Sequence, residues 1–544
     1  MARHQEHSPL RITGALRRCA PGLAALLLLV ARPAVAGEAA ASIAGAALRE
    51  ALAAPIDTCR ESHLDVQGLA RFYPGASPKP RWVDDRGPLP HARRLRAALE
   101  RSEAEGLPPD RYGLAGIAAR WEAPGPTDRA CLDLLLTAAF DRYGRDLASG
   151  VVAPREADAT WHLPAPAAFD AVAALGAAPS DASLEKQLDA LAPAHGLYAR
   201  LRAALARYRH LAKEGGWDPV PRGPALGPGD AGERVAALRE RLRREGNRDA
   251  APSSLDRSYD AALTDAVRGF QRRHGLLADG VVGPRTLAAL NTPVAHRIAQ
   301  LQRAMERLRW LPRDLGSHYV FVNTAGFELS VVEGDRTVLG MRVIVGAPDQ
   351  PTPSFTATLR SLTINPYWNV PRRIARDTLV PRERRRPGYL AARGFRVLDP
   401  STGRWREPDA TSLAGAAPQL RQEPGPGNLM GRLSFTFPNP FDVFLHDTPD
   451  RSLFEREVRA CSEGCVRIEH AMALALHTLR RAPEWTEERI QEEIHALRHQ
   501  VLPLPEPIPV YVVYLPSWVD EAGLAHFRPD HYGREQVLAR YFPP

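Results

Sequence analysis

Cysteine is scarce in this chain, and long apolar runs are scarcer. Only five of 544 residues are cysteine, and none pairs into a C-x-x-C knuckle, which argues against a structural zinc ribbon. Beyond residue 36 no segment approaches the ~20 apolar residues that a bilayer-spanning helix needs. Surplus charge is small as well. Residues 1–36 hold five arginines and one glutamate, so four of the eight formal positive charges belong to that segment. The remainder is only mildly basic, and a nucleic-acid partner is not supported.

The one marked apolar run, "GLAALLLLVA", follows Arg11, Arg17 and Arg18 and precedes the small residues Ala34 to Ala36. That is the pattern of a secretory signal peptide over residues 1–36, with an uncleaved anchor as the alternative. Export to the periplasm, with no stable membrane span after cleavage, is the expectation. Cys19 precedes the run and is badly placed for lipid attachment. Export also permits disulfides. A Cys59–Cys131 bridge is one pairing among those that spacing leaves open.

What is present is length, proline and two kinds of periodicity. A chain of 544 residues with 50 prolines exceeds a single core, so several domains are expected. Residues 37–225 read as a helical scaffold: "ARRLRAALERSEAEGL" and "ACLDLLLTAAFDRYGRDLASG" repeat apolar residues at three and four, and Gly106 and Gly150 stand where helices should stop. Trp82, Tyr112 and Trp161 read as core or wedge residues. A proline- and glycine-rich linker leads to a compact stretch, 226–292. There Val235, Leu238 and Leu242 share one helical face, Leu263, Val267 and Phe270 another, and Pro284 suits the first turn of a third helix. An amphipathic connecting helix occupies 293–316. From about Ser317 the period changes to two, with valine-rich strands to about Leu515, and residues 516–544 are read as a tail. The strands break between 371 and 421. There Arg372 to Arg386 carries seven arginines against two acids, either a solvated helix face or a basic cap over an anionic substrate.

The chemistry concentrates in "RACSEGCVRIEH", residues 459–470, with His446 upstream in "FLHDTP". Zinc on His446, Cys461, Cys465 and His470 has the right ligand count and the wrong spacing. A Cys461–Cys465 disulfide spans too few residues to be an easy staple, although reversible oxidation of neighbouring thiols is a hazard outside the cytosol. A nucleophile explains more. Gly464 lets the chain turn tightly so that backbone N–H groups around Cys465 form an oxyanion hole. A thiol near pKa ~8.5 needs a base or a cation to ionise at neutral pH. His446 supplies the base from a strand end, and Arg467, two residues on, returns to the side of Cys465 to favour thiolate and hold a carboxylate. Acyl transfer by a Cys–His pair is therefore the reading from residues alone.

Two stretches also resemble known families. "SEGCVR" with "FLHDTP", and "VIVGAPDQPTPSF", "INPYWNVP" and "RQEPGPGNLMGRLSFTFPN" in that order, resemble the YkuD-type L,D-transpeptidase catalytic domain. The F-Q-x-x-x-G-L…D-G-x-x-G-x-x-T order within 226–292 resembles a peptidoglycan-binding domain. With the scaffold and the interrupted strands, the whole is similar to the large Gram-negative branch of that family, with a cap insertion at 371–421. The resemblance implies a multidomain α+β protein: helical scaffold, three-helix module and β-rich catalytic domain with a helical cap. It implies that Cys465 attacks the carbonyl of diaminopimelate at position three of a tetrapeptide stem and expels D-alanine. The amine of a second stem then resolves the thioester. His446 would be the general base and Gly464 a backbone oxyanion donor, while Arg467, Ser462, Trp368 and Asn369 would bind substrate. No cofactor and no metal enter. Partners would be peptidoglycan stems and glycan strands, with cell-wall synthesis proteins as further candidates, and carbapenems would acylate the cysteine. Glu463 and Phe444 stand where relatives often have histidine and tyrosine. The alternatives are an L,D-carboxypeptidase, with water as acceptor, and a wall-binding scaffold with a vestigial site.

Overall fold

The computed structural model describes residues 43–55, 59, 66–75, 78–177, 181–246, 257–409, 412–413 and 418–544. The signal segment, with Cys19, lies outside the described residues. The N-terminal third is helical, built on α1 (Ile43–Ala53), α2 (Pro90–Glu100), α3 (Pro126–Ser149) and α4 (Gly196–Lys213). Proline opens α3, where its missing N–H costs nothing, and Gly150 closes it at φ +90°. α3 is buried on nearly every face, so its apolar pattern is wider than a single stripe. One turn of it carries Asp133, fully buried, which accepts the N–H groups of Arg81 (2.8 Å) and Trp82 (2.6 Å) and the Tyr73 hydroxyl (2.5 Å). Burial pushes its carboxyl up to about 6 despite those donors. Cys59 and Cys131 are joined in a disulfide inside this core. Trp82, Tyr112 and Trp161 are all buried, as their loop positions suggested.

The compact module is three helices, α5 (Glu233–Arg244), α6 (Ala261–Arg273) and α7 (Pro284–Leu290). Asp260 caps α6 by accepting the Leu263 N–H at 2.8 Å. Val235, Leu238 and Leu242 meet Leu263, Val267 and Phe270 in one core. Gln271 explains the sequence motif physically. Its amide donates to the Asp279 carboxylate (2.8 Å) and the Val281 carbonyl (2.9 Å) and accepts the Gly280 N–H (2.9 Å). Gln271 and the Asp279-Gly280 turn are thus one hydrogen-bonded unit.

Connecting helix α8 (Val294–Arg309) buries Leu301, Met305 and Leu308 in a core shared with α4 and the back of the sheet that follows. That sheet holds β1 (His318–Asn323), β2 (Glu328–Glu333), β3 (Arg336–Gly346), β4 (Phe355–Ile364), β9 (Leu433–Thr436), β10 (Leu445–His446), β11 (Ala460–Ser462), β12 (Val466–Ile468) and β13 (Gln500–Val513). Their order is β11-β3-β12-β10-β9-β4-β13-β1-β2, and β3 also pairs with β2, so the sheet curls back on itself. Inside it, Val320, Leu329, Val343, Leu362, Leu445, Val466 and Val510 are fully buried. α9 (Ala471–Thr478) and α10 (Glu487–His495) pack against the same core.

The interrupted stretch forms a small unit of its own. β5 (Trp368–Asn369), β6 (Phe395–Leu398), β7 (Trp405–Arg406) and β8 (Leu420–Gln422) make a four-stranded sheet ordered β5-β8-β6-β7. Its core holds Ala375, Leu379, Leu390, Phe395 and Leu420. The arginine run forms short helical turns on this sheet, so the cap is α plus β and not helical alone. Residues 516–544 depart from the tail reading. They form a hairpin, β14 (Ser517–Val519) with β15 (Ala525–Phe527), and a last helix, α11 (Gln536–Tyr541). Leu538 and Phe542 are buried in the core shared with α4 and α8, which holds those apolar residues in place.

Candidate active site

Two short parallel strands set the geometry. β10 pairs with β12 so that Leu445 faces Val466 and His446 faces Arg467. Leu445 and Val466 point into the core. The pleat therefore turns His446 and Arg467 to the opposite face, and Cys465, two residues before Arg467, falls on the same side. β12 is held from its other edge by β3, with Arg467 opposite Ile344. The cysteine, histidine and arginine that the sequence singled out thus share one face of one sheet.

The turn ahead of the cysteine is fixed by hydrogen bonds. Ser462 is nearly fully buried. Its hydroxyl donates to the Cys465 carbonyl at 2.6 Å and accepts the Gly464 N–H at 3.2 Å. Gly464 adopts φ +114°, a conformation that a side chain would strain. Its carbonyl accepts the Thr352 hydroxyl at 2.8 Å, and Thr352 in turn accepts the Gly346 N–H at 2.9 Å. A Cβ on Gly346 would stand 2.1 Å from the Gln350 carbonyl, so only glycine fits there. Tyr532, from the C-terminal segment, donates to the Gly346 carbonyl at 2.6 Å.

The Ser462 hydroxyl both donates and accepts inside the loop and so orients it. The Gly464 N–H already has Ser462 as acceptor, whereas among the described residues the Cys465 N–H has none. The Cys465 amide is thus an N–H without an acceptor beside the thiol, among the described residues.

Electrostatics keep the resting pair neutral. His446 is buried, and Asp447's carbonyl lies 2.6 Å from its Nδ1. A carbonyl only accepts, so Nδ1 carries the proton and Nε2 keeps its lone pair. Burial, reinforced by the Arg467 charge, lowers the imidazole to about 4. Burial raises the Cys465 thiol, although a backbone N–H from Phe444 and the Arg467 charge favour thiolate. The thiol hydrogen points to the Asp442 carbonyl at 3.6 Å. At neutral pH the site therefore rests as thiol and neutral imidazole, not as a thiolate–imidazolium pair. Arg467 makes no ion pair among the described residues, and its buried Nε has no partner. It is a cation available to a carboxylate.

Trp368 and Asn369 lie on β5. Trp368 is half-buried with its ring edge on Phe395, at 5.9 Å between centroids, and so belongs partly to the cap core. Asn369 is exposed and pairs through its backbone with Arg421. Neither side chain hydrogen-bonds the cysteine loop among the described residues. Sequence reasoning missed Thr352, Tyr532 and the Asp447 carbonyl. Thr352 lies in the quoted "VIVGAPDQPTPSF" block and Asp447 in "FLHDTP", whereas Tyr532 carries no motif signal. Glu463, where relatives often have histidine, has a partner that the sequence does not name. Glu463 forms an ion pair with Arg373 of the arginine run, which ties the cap to the nucleophile loop. The scaffold, read as free of chemistry, reaches the rim: the His162 ring lies 4.5 Å from Phe441, next to Asp442.

Known proteins align with this organisation. Residues 317–483 match the model of the YkuD L,D-transpeptidase catalytic domain, residues 231–290 that of a peptidoglycan binding domain, and residues 67–205 that of a scaffold domain. A curated Haemophilus influenzae protein named "Putative L,D-transpeptidase" is 31% identical over 236 residues, 43% of this chain. The chain spans about half of that relative, 47% of its length. Crystal structures of L,D-transpeptidases from Xylanimonas cellulosilytica and Stackebrandtia nassauensis are 18% and 15% identical. Each covers 54% of this chain, with 100% and 96% of their own chains and TM-scores of 0.16 and 0.21. Scores that low do not establish a shared overall shape. The chain carries a YkuD-type L,D-transpeptidase catalytic domain, a peptidoglycan-binding domain and a scaffold domain.

Proposed function

We propose that this chain, with its L,D-transpeptidase catalytic domain, cross-links peptidoglycan stem peptides through a Cys465 thioester. One observation carries the reading. His446 donates its Nδ1–H to the Asp447 carbonyl, which leaves Nε2 as the basic nitrogen of the ring, and strand register sets the histidine opposite Arg467. Cys465 transfers its thiol proton to Nε2 as its sulfur attacks the carbonyl of diaminopimelate, the third residue of a tetrapeptide stem. The oxyanion takes the Cys465 N–H. As the intermediate collapses the C–N bond breaks, and D-alanine leaves with the proton that His446 returns. The side-chain amine of a second diaminopimelate then attacks the thioester and gives its proton to His446. The sulfur departs as the new amide forms and regains the proton.

A neutral resting pair suits this sequence. A base that is unprotonated above about pH 4 is ready at every working pH, and the thiol ionises only as the substrate arrives. Arg467 supplies the cation for a stem carboxylate, and the basic cap adds others. The binding module would hold glycan or stem, and action at the cell wall in the periplasm follows from such substrates.

The test is mass spectrometry of muropeptides after incubating residues 37–544, reduced, with disaccharide tetrapeptide, alongside Cys465→Ala. Dimers that have lost one D-alanine, absent with the variant, are the expected result. Tripeptide without dimer would instead assign an L,D-carboxypeptidase. Failure of a carbapenem to acylate Cys465 would overturn the nucleophile itself.

A further inference from the structure

On the opposite flank of the catalytic domain, three side chains converge that the cysteine chemistry does not use. His318 opens β1 and Glu333 closes β2, and the two are directly paired across the strands. His477 sits in the last turn of α9. The His318 and His477 Nε2 atoms are 3.0 Å apart. Glu333 Oε1 lies 3.9 Å from the first and 3.7 Å from the second. Both rings are mostly buried, at 14% and 15% exposure, while the glutamate opens to solvent and gives an entry path.

We propose that His318, His477 and Glu333 form a binding site for a divalent transition cation of the zinc class. Bonds of about 2.0–2.2 Å to nitrogen and oxygen place tetrahedral neighbours about 3.3–3.5 Å apart. The three observed separations, 3.0, 3.7 and 3.9 Å, bracket that edge. The donor set of two imidazoles and a carboxylate suits zinc, with one position left for water. Sheet register fixes two of the ligands and a helix end the third, so the site is built by the fold and not by side-chain chance.

A side-chain cation already serves this position. Arg480 Nη1 is bonded to Glu333 Oε1 and lies 2.7 Å from His477 Nε2. A guanidinium only donates, so the lone pair of His477 Nε2 receives both it and the His318 N–H. Two donors on one lone pair are a poor arrangement, and a metal that takes all three acceptors at once removes the conflict. Arg480 is 35% exposed and can swing to solvent. A bound ion would staple the β1–β2 hairpin to the helix that follows the nucleophile strand. The proposal does not rest on the reading of Cys465.

The experiment is a zinc titration by calorimetry on untagged, chelator-treated full chain carrying Cys461→Ser and Cys465→Ala, so that no free thiol binds metal. A single site is expected. His318→Gln and His477→Gln each weaken it at least ~10-fold, as loss of a metal-binding group does. Arg480→Gln strengthens it by removing the competing cation. Thermal melts without zinc check that each variant folds; on adding zinc the parent and Arg480→Gln should gain several degrees and the two histidine variants less. No binding by the parent, or binding that neither histidine substitution alters, overturns the site.

Discussion

Cys59 and Cys131 lie at 0% and 1% exposure inside the scaffold core, seventy-two residues apart and bonded to one another. Cys461 and Cys465, four residues apart, are both free. Closeness in sequence is thus a poor guide to pairing. In β11 the pleat turns Ser462 inward and Cys461 to solvent, and the Gly464 turn carries Cys465 to a different face. The scaffold pair is brought together by helices that pack round it. The catalytic pair is kept apart by a strand that alternates.

Removing the base should show most sharply what the free thiol needs and the bonded pair does not. His446→Gln is expected to slow carbapenem acylation of Cys465 by about 10²–10⁴-fold, the range for a general base, as read by intact-protein mass spectrometry. The same residue also fixes a pH window. Unfolded histidine titrates near 6.5 and buried His446 near 4, so the unfolded chain binds more protons between those values. Stability from its burial is complete above about pH 6.5 and is lost as pH falls toward 4. Thermal melts across that window should fall less steeply for His446→Gln.

Breaking the other pair should act on stability alone. Cys59→Ala with Cys131→Ala opens a loop of 72 residues. About 4 kcal/mol is the expected loss, seen in denaturant melts of the scaffold, with Cys465 still acylated by a carbapenem at temperatures where the chain stays folded. Between the two free thiols, iodoacetamide should draw a further distinction. The raised Cys465 thiol should alkylate slowly at pH 7 and about tenfold faster for each pH unit above it, with no plateau at low pH. A rate flat from pH 5 to 8 would mean a standing thiolate–imidazolium pair and would overturn the neutral resting state. The smallest effect belongs to Glu463→Gln. Its ion pair with Arg373 is about half-exposed on both sides, so stability should change by under ~1 kcal/mol. Hydrogen exchange in the cap should rise all the same, because an ion pair that ties it to the nucleophile loop is gone.

Much of this was legible in the sequence, for identifiable reasons. The module could be read because its helices bury one face each, with Pro284 opening the third. The change of period near Ser317 located β1 within a residue. Arg467 could be placed on the face of Cys465 by counting in twos, while the register of β10 against β12 adds His446. Three things could not be read. The cap's own sheet is made of strands of two to four residues, too short to alternate visibly. Residues 516–544 lack a long apolar period, yet Leu538 and Phe542 find a core supplied by α4 and α8. The Ser462 hydroxyl could face either the loop or a substrate, and only the position of the Cys465 carbonyl decides.

The cap leaves and rejoins the catalytic domain through β5 and β8, which are antiparallel neighbours with Asn369 opposite Arg421. Everything between them hangs from a two-strand stem. A gap closed by a ladder pair can be bridged by a tight turn, so the fifty intervening residues form a cassette whose ends already meet. Such an insert can be gained, lost or exchanged between relatives without re-threading the sheet beneath it. Shortening it to a hairpin would leave His446 and Arg467 in their strands and Cys465 in the turn before β12.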